Sequence, residues 1–126
     1  MNGTAFTPEG ARVINSLDLA RSLARILDEK QARDIRILDV RGTSSITDFH
    51  ILSTGTSSPH LRALANELRA RMKEQNVPAY RNSGTPESGW LVSDFVDVIV
   101  HLFAPEARAY YDLDQLWKHA PVVALE

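Results

Sequence analysis

The chain of 126 residues contains no cysteine. That excludes disulfides, thiolate nucleophiles and cysteine-ligated metals, and it agrees with a reducing compartment. No run approaches the roughly 20 apolar residues needed to cross a bilayer. The opening MNGTAFTPEGARVIN has neither the basic start nor the apolar core of a secretory signal. A cytoplasmic protein without membrane association is expected. An excess of one charge is missing too: 14 Lys+Arg against 16 Asp+Glu give a formal net charge of −2. Proteins that grip nucleic acid chiefly through phosphates carry a basic excess, so no direct sequence-specific nucleic-acid binding is expected. Basic residues do bunch at Arg62, Arg69, Arg71 and Lys73, but interspersed Glu67 and Glu74 point to a solvated helix face. The histidines at 50, 60, 101 and 119 show no HxH or HxxxH spacing. No serine sits on a recognisable nucleophile elbow. Neither metal nor cofactor is expected.

What remains is an ordinary globule, 44% hydrophobic and 24% charged. It is long enough to bury about two-thirds of the surface of its unfolded chain. Residues 1–15 lack periodicity and read as a flexible tail, residues 16–118 as one domain, and residues 119–126 as a C-terminal tail. Ser16 is placed to cap a helix running to about Ala32, with Leu17, Ala20, Leu23, Ala24 and Leu27 on one face. Strands follow at Asp34–Val40 and Asp48–Ser53, separated by the turn residues 41–45. Ser58 as N-cap and Pro59 at the first helical position open a second helix, whose Leu61, Leu64, Ala65, Leu68 and Met72 share a face. A short strand near Ala79–Arg81 and a Gly/Pro/Ser loop over 82–89 precede two strong strands, WLVSDF and VDVIVHLF. A helix rich in aromatics closes the domain, and the apolar residues 121–125 have no assigned place. The order α-β-β-α-β-β-β-α predicts an α/β (α+β) mixed sheet of about five strands flanked by helices.

Three features bear on chemistry. The Gly55-Thr56-Ser57-Ser58 turn opens a helix after a strand, the geometry that cradles phosphates, and Asp94 and Asp97 are the only close carboxylates for a metal. Together they would make a small Mg-dependent nucleotidyltransferase. The turn lacks a Walker lysine and spaced glycines, however, and the aspartates read better as turn residues, so the helix-cap reading is preferred. The third feature is the density of aromatics between Trp90 and Trp117, where Tyr110, Tyr111 and His101 also lie. So much amphipathic surface points to an interaction face, with Trp90 as a half-exposed anchor whose removal leaves stability nearly unchanged. His101, set among Val100, Leu102 and Phe103, reads as a hydrogen-bonded core or face histidine.

Read in order, KQARDIRILDV from Lys30, Thr47-Asp48-Phe49, Thr54-Gly55-Thr56-Ser57, Gly89-Trp90-Leu91-Val92 and Asp94 through Phe103 resemble the ribosomal silencing factor (RsfS, or Iojap) family. The likeness continues into Arg108, Tyr110-Tyr111-Asp112-Leu113 and Leu116-Trp117. It implies a nucleotidyltransferase-like fold without transferase activity. It also implies binding to ribosomal protein number fourteen of the large ribosomal subunit, which sterically blocks joining of the small subunit when nutrients are short. A homodimer in the free state is implied as well. Carried over by motif, the partner-binding residues are Trp90, Leu91, Val92 and Asp94, with His101, Tyr111 and Leu113 as further members. The chain departs from the family at Phe95-Val96, where Tyr-Gly is common, at His50, commonly aromatic or apolar, and at Asp114, usually Glu. Valine is a poor residue for a bend that needs positive φ, so a different turn or a shifted bend is expected there.

Overall fold

The computed structural model describes residues 15–125. The tail expected over residues 1–15 lies outside the described residues, apart from Asn15. The first helix, α1 (Ser16–Glu29), is capped by Asn15, whose side chain accepts the amide of Asp18 at 2.8 Å. The cap thus falls one residue before the expected Ser16, which is itself buried. Gln31, at φ +65°, ends the helix three residues earlier than the periodicity implies. The strands β1 (Arg33–Asp39) and β2 (Phe49–Thr54) follow. Next comes α2 (Ser58–Glu74), capped by Ser57 rather than Ser58. In both helices the side-chain oxygen one residue upstream reaches the free amide of the first turn.

The expected loop over 82–89 is mostly strand. β3 (Arg81–Thr85) and a 3₁₀ turn (Pro86–Ser88) lead into β4 (Trp90–Asp94) and β5 (Val98–Phe103). All five β3 residues are exposed, so the strand is held by main-chain pairing with β4. Gly84 makes that approach possible, because a Cβ there would meet the backbone oxygen of Trp90. The helices α3 (Pro105–Tyr111) and α4 (Leu113–Leu116) complete the order, and Val122–Val123 form a sixth strand, β6, antiparallel to β1. The sheet therefore has six strands rather than about five, in the order β3-β4-β5-β2-β1-β6. Its β2–β5 pair alone is parallel.

Alternation along the strands divides the sheet into two faces. On one, Leu91, Phe95, Val98, Val100, Leu102, Phe49, Ile51 and Ile37 pack against α1 and α2 to form the main core. On the other, Leu38, Leu52 and Phe103 form a smaller cluster with Trp90, Ala107, Leu113, Trp117 and Ala120. The first face is closed. The second is covered only in part.

The bend between β4 and β5 is centred on Val96, which takes the positive φ that the sequence argues against. Asp97 N donates to Phe95 O at 2.9 Å across Val96, whose φ is +73°. This is the hydrogen bond of a γ-turn of the rare positive-φ kind. A β-branched residue there is strained by about 1–3 kcal/mol, and Val96 is 55% exposed, so its side chain recovers little by burial. Val96→Gly is expected to raise the unfolding free energy by about 1 kcal/mol, after allowing for the extra freedom of glycine in the unfolded chain. Urea denaturation checks this, and a variant no more stable than the parent would show that the turn carries no strain.

Candidate docking site

The site is built on the partly covered face of the sheet. Trp90, Val92 and Asp94 alternate along β4 and point to this side, all half-buried. Leu91 points the other way, is only 8% exposed and belongs to the main core. Its inclusion with the surface residues is therefore corrected: adjacency in the motif is not adjacency on a face. The indole of Trp90 packs on Phe103 at 5.2 Å and on Tyr111 at 4.6 Å between ring centroids. Leu113 sits in the small cluster beneath, with Leu38, Leu52 and Phe103.

A directed chain of hydrogen bonds runs below this surface. Trp90 Nε1 is 3.3 Å from His101 Nδ1, and His101 Nε2 is 3.1 Å from His50 Nδ1. Indole N–H can only donate, so His101 Nδ1 accepts. The His101 proton then sits on Nε2 and is donated to His50 Nδ1, which fixes the tautomer of both rings. The ring of His50 in turn stacks on Trp117, with centroids 3.9 Å apart and planes inclined by 18°. The chain works only with both imidazoles neutral. Burial pushes the His50 pKa down to about 4. Burial and the neighbouring His50 push that of His101 to about 3. His101 is thus a satisfied core histidine, as expected, and it reaches the surface only through Trp90.

Arg108 fastens the α3–α4 segment over the sheet. Its Nε and Nη2 donate to both oxygens of Asp114 at 2.8 and 3.1 Å, and Nη1 donates to Thr54 Oγ1 at 2.9 Å. Arg36 adds a third donor to Asp114 at 3.0 Å. Arg108 foremost holds the Asp114 carboxyl below the usual carboxylate range, against the opposing effect of burial. Beyond this clamp the face is open: Ile99 and His50 are half-buried beside Val92 and Asp94, with Ile46, Tyr110 and Leu116 exposed.

The turn before α2 and the two aspartates, the candidates for catalysis, are already engaged. Thr56 N donates to His60 Nδ1 at 2.9 Å, His60 N donates to Ser57 Oγ at 3.1 Å, and His60 Nε2 reaches Lys30 O at 2.9 Å. The turn before α2 therefore spends these amides on its own side chains, as the helix-cap reading holds. Asp94 ends β4 and its Oδ1 accepts Val96 N at 2.7 Å, while Asp97 lies in the bend. Burial, with the charge of Asp48 beside it, raises the carboxyl pKa of Asp97. Among the described residues, no three His, Cys, Asp or Glu side chains converge as a metal site would require. His50 and Trp117 belong to the site although no motif assigns them to it. The one signal in the sequence is a histidine in β2 where the family resemblance implies an aromatic or apolar residue.

The chain resembles known proteins over nearly its whole length. Residues 13–126 match the family described as "Ribosomal silencing factor during starvation". A protein of Halalkalibacterium halodurans named ribosomal silencing factor RsfS is 34% identical over 113 residues, 90% of this chain and 97% of that protein. The mouse protein named "Mitochondrial assembly of ribosomal large subunit protein 1" is 32% identical over 98 residues, which are 75% of this chain and 43% of that longer one. A crystal structure of a Chromobacterium violaceum protein superposes with a TM-score of 0.80 at 30% identity, over 83% of this chain and 88% of the other. With the family matched over residues 13–126, a relative 34% identical over 90% of the chain and the fold shared at a TM-score of 0.80, the protein belongs to the ribosomal silencing factor family.

Proposed function

We propose that this protein is a non-enzymatic, cytoplasmic repressor of translation. It docks on the large ribosomal subunit through ribosomal protein number fourteen and keeps the small subunit from joining by occupying its place when nutrients are short. The observation that carries this reading is the grouping of Trp90, Val92 and Asp94 on the one sheet face that helices leave partly uncovered. The indole ring and Val92 offer apolar area, worth roughly 25 cal/mol per Å² removed from water. Since the Trp90 N–H is used internally, the ring presents only its apolar surface. Asp94 keeps its second carboxylate oxygen for a cation on the partner, and the exposed rings of Tyr110 and Tyr111 extend the rim. His101 and Leu113 act from beneath, by positioning.

Pelleting with purified large subunits tests this surface. Asp94→Arg is expected to weaken co-sedimentation at least tenfold while changing stability by no more than about 1 kcal/mol, the worth of its one hydrogen bond to Val96. Undiminished pelleting of Asp94→Arg together with Val92→Arg would remove this face from the reading. The nucleotidyltransferase alternative makes the opposite forecast in calorimetry, a saturable signal with nucleotide and magnesium, where the repressor gives none.

A further inference from the structure

Charge on α2 is sorted by face. Arg62, Asn66, Arg69 and Lys73 fall at offsets of four, seven and eleven residues, a single stripe about 16 Å long at 1.5 Å per residue. Glu67, Arg71 and Glu74 lie on another flank, where Arg71 donates to Glu67 at 3.4 Å and to Glu29 of α1 at 3.0 Å. Glu67 is thereby engaged away from the stripe. Within the stripe, Arg69 donates to the neutral Asn66 at 2.8 Å. Arg62 has one 3.4 Å contact with Glu87, and both side chains are largely exposed, so water leaves that pair worth little. Among the described residues, Arg69 and Lys73 form no ion pair.

The stripe borders a groove of about 180 Å³ between α2 and the β3–β4 pair. Arg62, Asn66, Arg69, Asn82 and Ser83 line it, and no carboxylate does. β3 is an outer strand of the sheet, so half of its backbone donors also face outward. Leu91 and Ser93 line the groove from β4, so it lies on the α2 side of the sheet, across the β3–β4 pair from the docking face.

We infer that the groove is a second contact surface, and that it takes the phosphate backbone of RNA on the large subunit. This rests on the docking reading above. Two guanidinium groups surrounded by amide and hydroxyl side chains are the set that contacts phosphate oxygens, whose geometry the guanidinium fork matches. No aromatic ring lines the groove to stack on a base, so the contact is independent of RNA sequence. A net charge of −2 conceals this, because the acids that balance the total lie elsewhere on the surface.

The test is the salt dependence of large-subunit pelleting, between about 50 and 200 mM, for the wild type and for Arg62→Gln/Arg69→Gln. Both positions are exposed, and a thermal melt confirms that the variant folds. Losing two phosphate contacts is expected to flatten the slope of log K against log salt by about 1.4–1.8, and to weaken binding at least tenfold at the lower salt. A variant that keeps the full slope while the wild type pellets overturns the inference and leaves the docking reading intact. A wild type that does not pellet removes both. If the variant loses as much affinity for RNA-free ribosomal proteins as for whole subunits, the groove binds an acidic protein, and the inference is overturned.

Discussion

Between pH 7 and pH 5 the unfolding free energy is expected to drop by about 2–4 kcal/mol. The two linked imidazoles are the cause. In the unfolded chain each titrates near 6.5, whereas in the fold His50 titrates near 4 and His101 near 3. A histidine with a depressed folded pKa contributes stability that is complete above 6.5 and is lost as the pH falls toward the folded value. Each therefore costs up to about 2 kcal/mol by pH 5, at about 1.4 kcal/mol per pH unit. The contribution of His50 is discounted because it is only partly buried and water screens it. The window lies above the range in which unfolded carboxylates titrate, near 4, and Asp97, whose carboxyl is raised by burial, acts in the opposite direction, so the loss reports on histidine. Denaturant titrations at pH 7, 6 and 5 read it directly. His101→Gln, which can still accept from Trp90 and donate to His50, is expected to halve the dependence. A parent whose stability is flat across this range would refute the neutral chain Trp90–His101–His50.

The second large effect is on Trp90. Trp90→Ala is expected to lower stability by about 2–3 kcal/mol and also to abolish pelleting. This forecast departs from the expectation of an anchor removable without cost. The ring packs on Phe103 and Tyr111, and its N–H satisfies His101. Truncation opens a gap and strips a buried acceptor of its donor. Trp90→Phe separates the two contributions, restoring most of the packing while leaving His101 Nδ1 without its partner, at about 1 kcal/mol. If Trp90→Ala melts with the parent, the ring is not packed as described. Asp94→Arg remains the cleaner probe of docking, because it does not disturb this stack.

The parts of the fold legible in the sequence are those whose side chains pack. The faces of α1 and α2, and the alternation of β4, follow from burial against the main core and leave a periodic trace. β3 leaves none: RNSGT buries nothing, and its place is set by backbone pairing with β4. β6 is too short for any period to show. In the site, Trp90, Val92 and Asp94 were legible as one strand face, though which side was buried was not. The meeting of His50 with His101 was not legible either. It depends on the parallel register of β2 on β5, which sets Leu52 opposite His101 and His50 opposite Ile99, so that His50 reaches His101 across 51 residues of chain. Alternation says which way a residue points, but not which partner from a distant strand lies beside it.

The small strand Val122–Val123 also bears on how copies of the protein could aggregate. It covers Ile37 and Leu38, and Pro121 O takes the amide of Asp39. What remains of that margin, Arg33 to Arg36, is charged and bulged, the two devices that discourage strand addition. The outward edge of β6 spans only two residues, so the polar, five-residue β3 is the longer of the two outer margins. A sheet with one long margin and one stub pairs more readily with a single copy of itself than it extends into a filament.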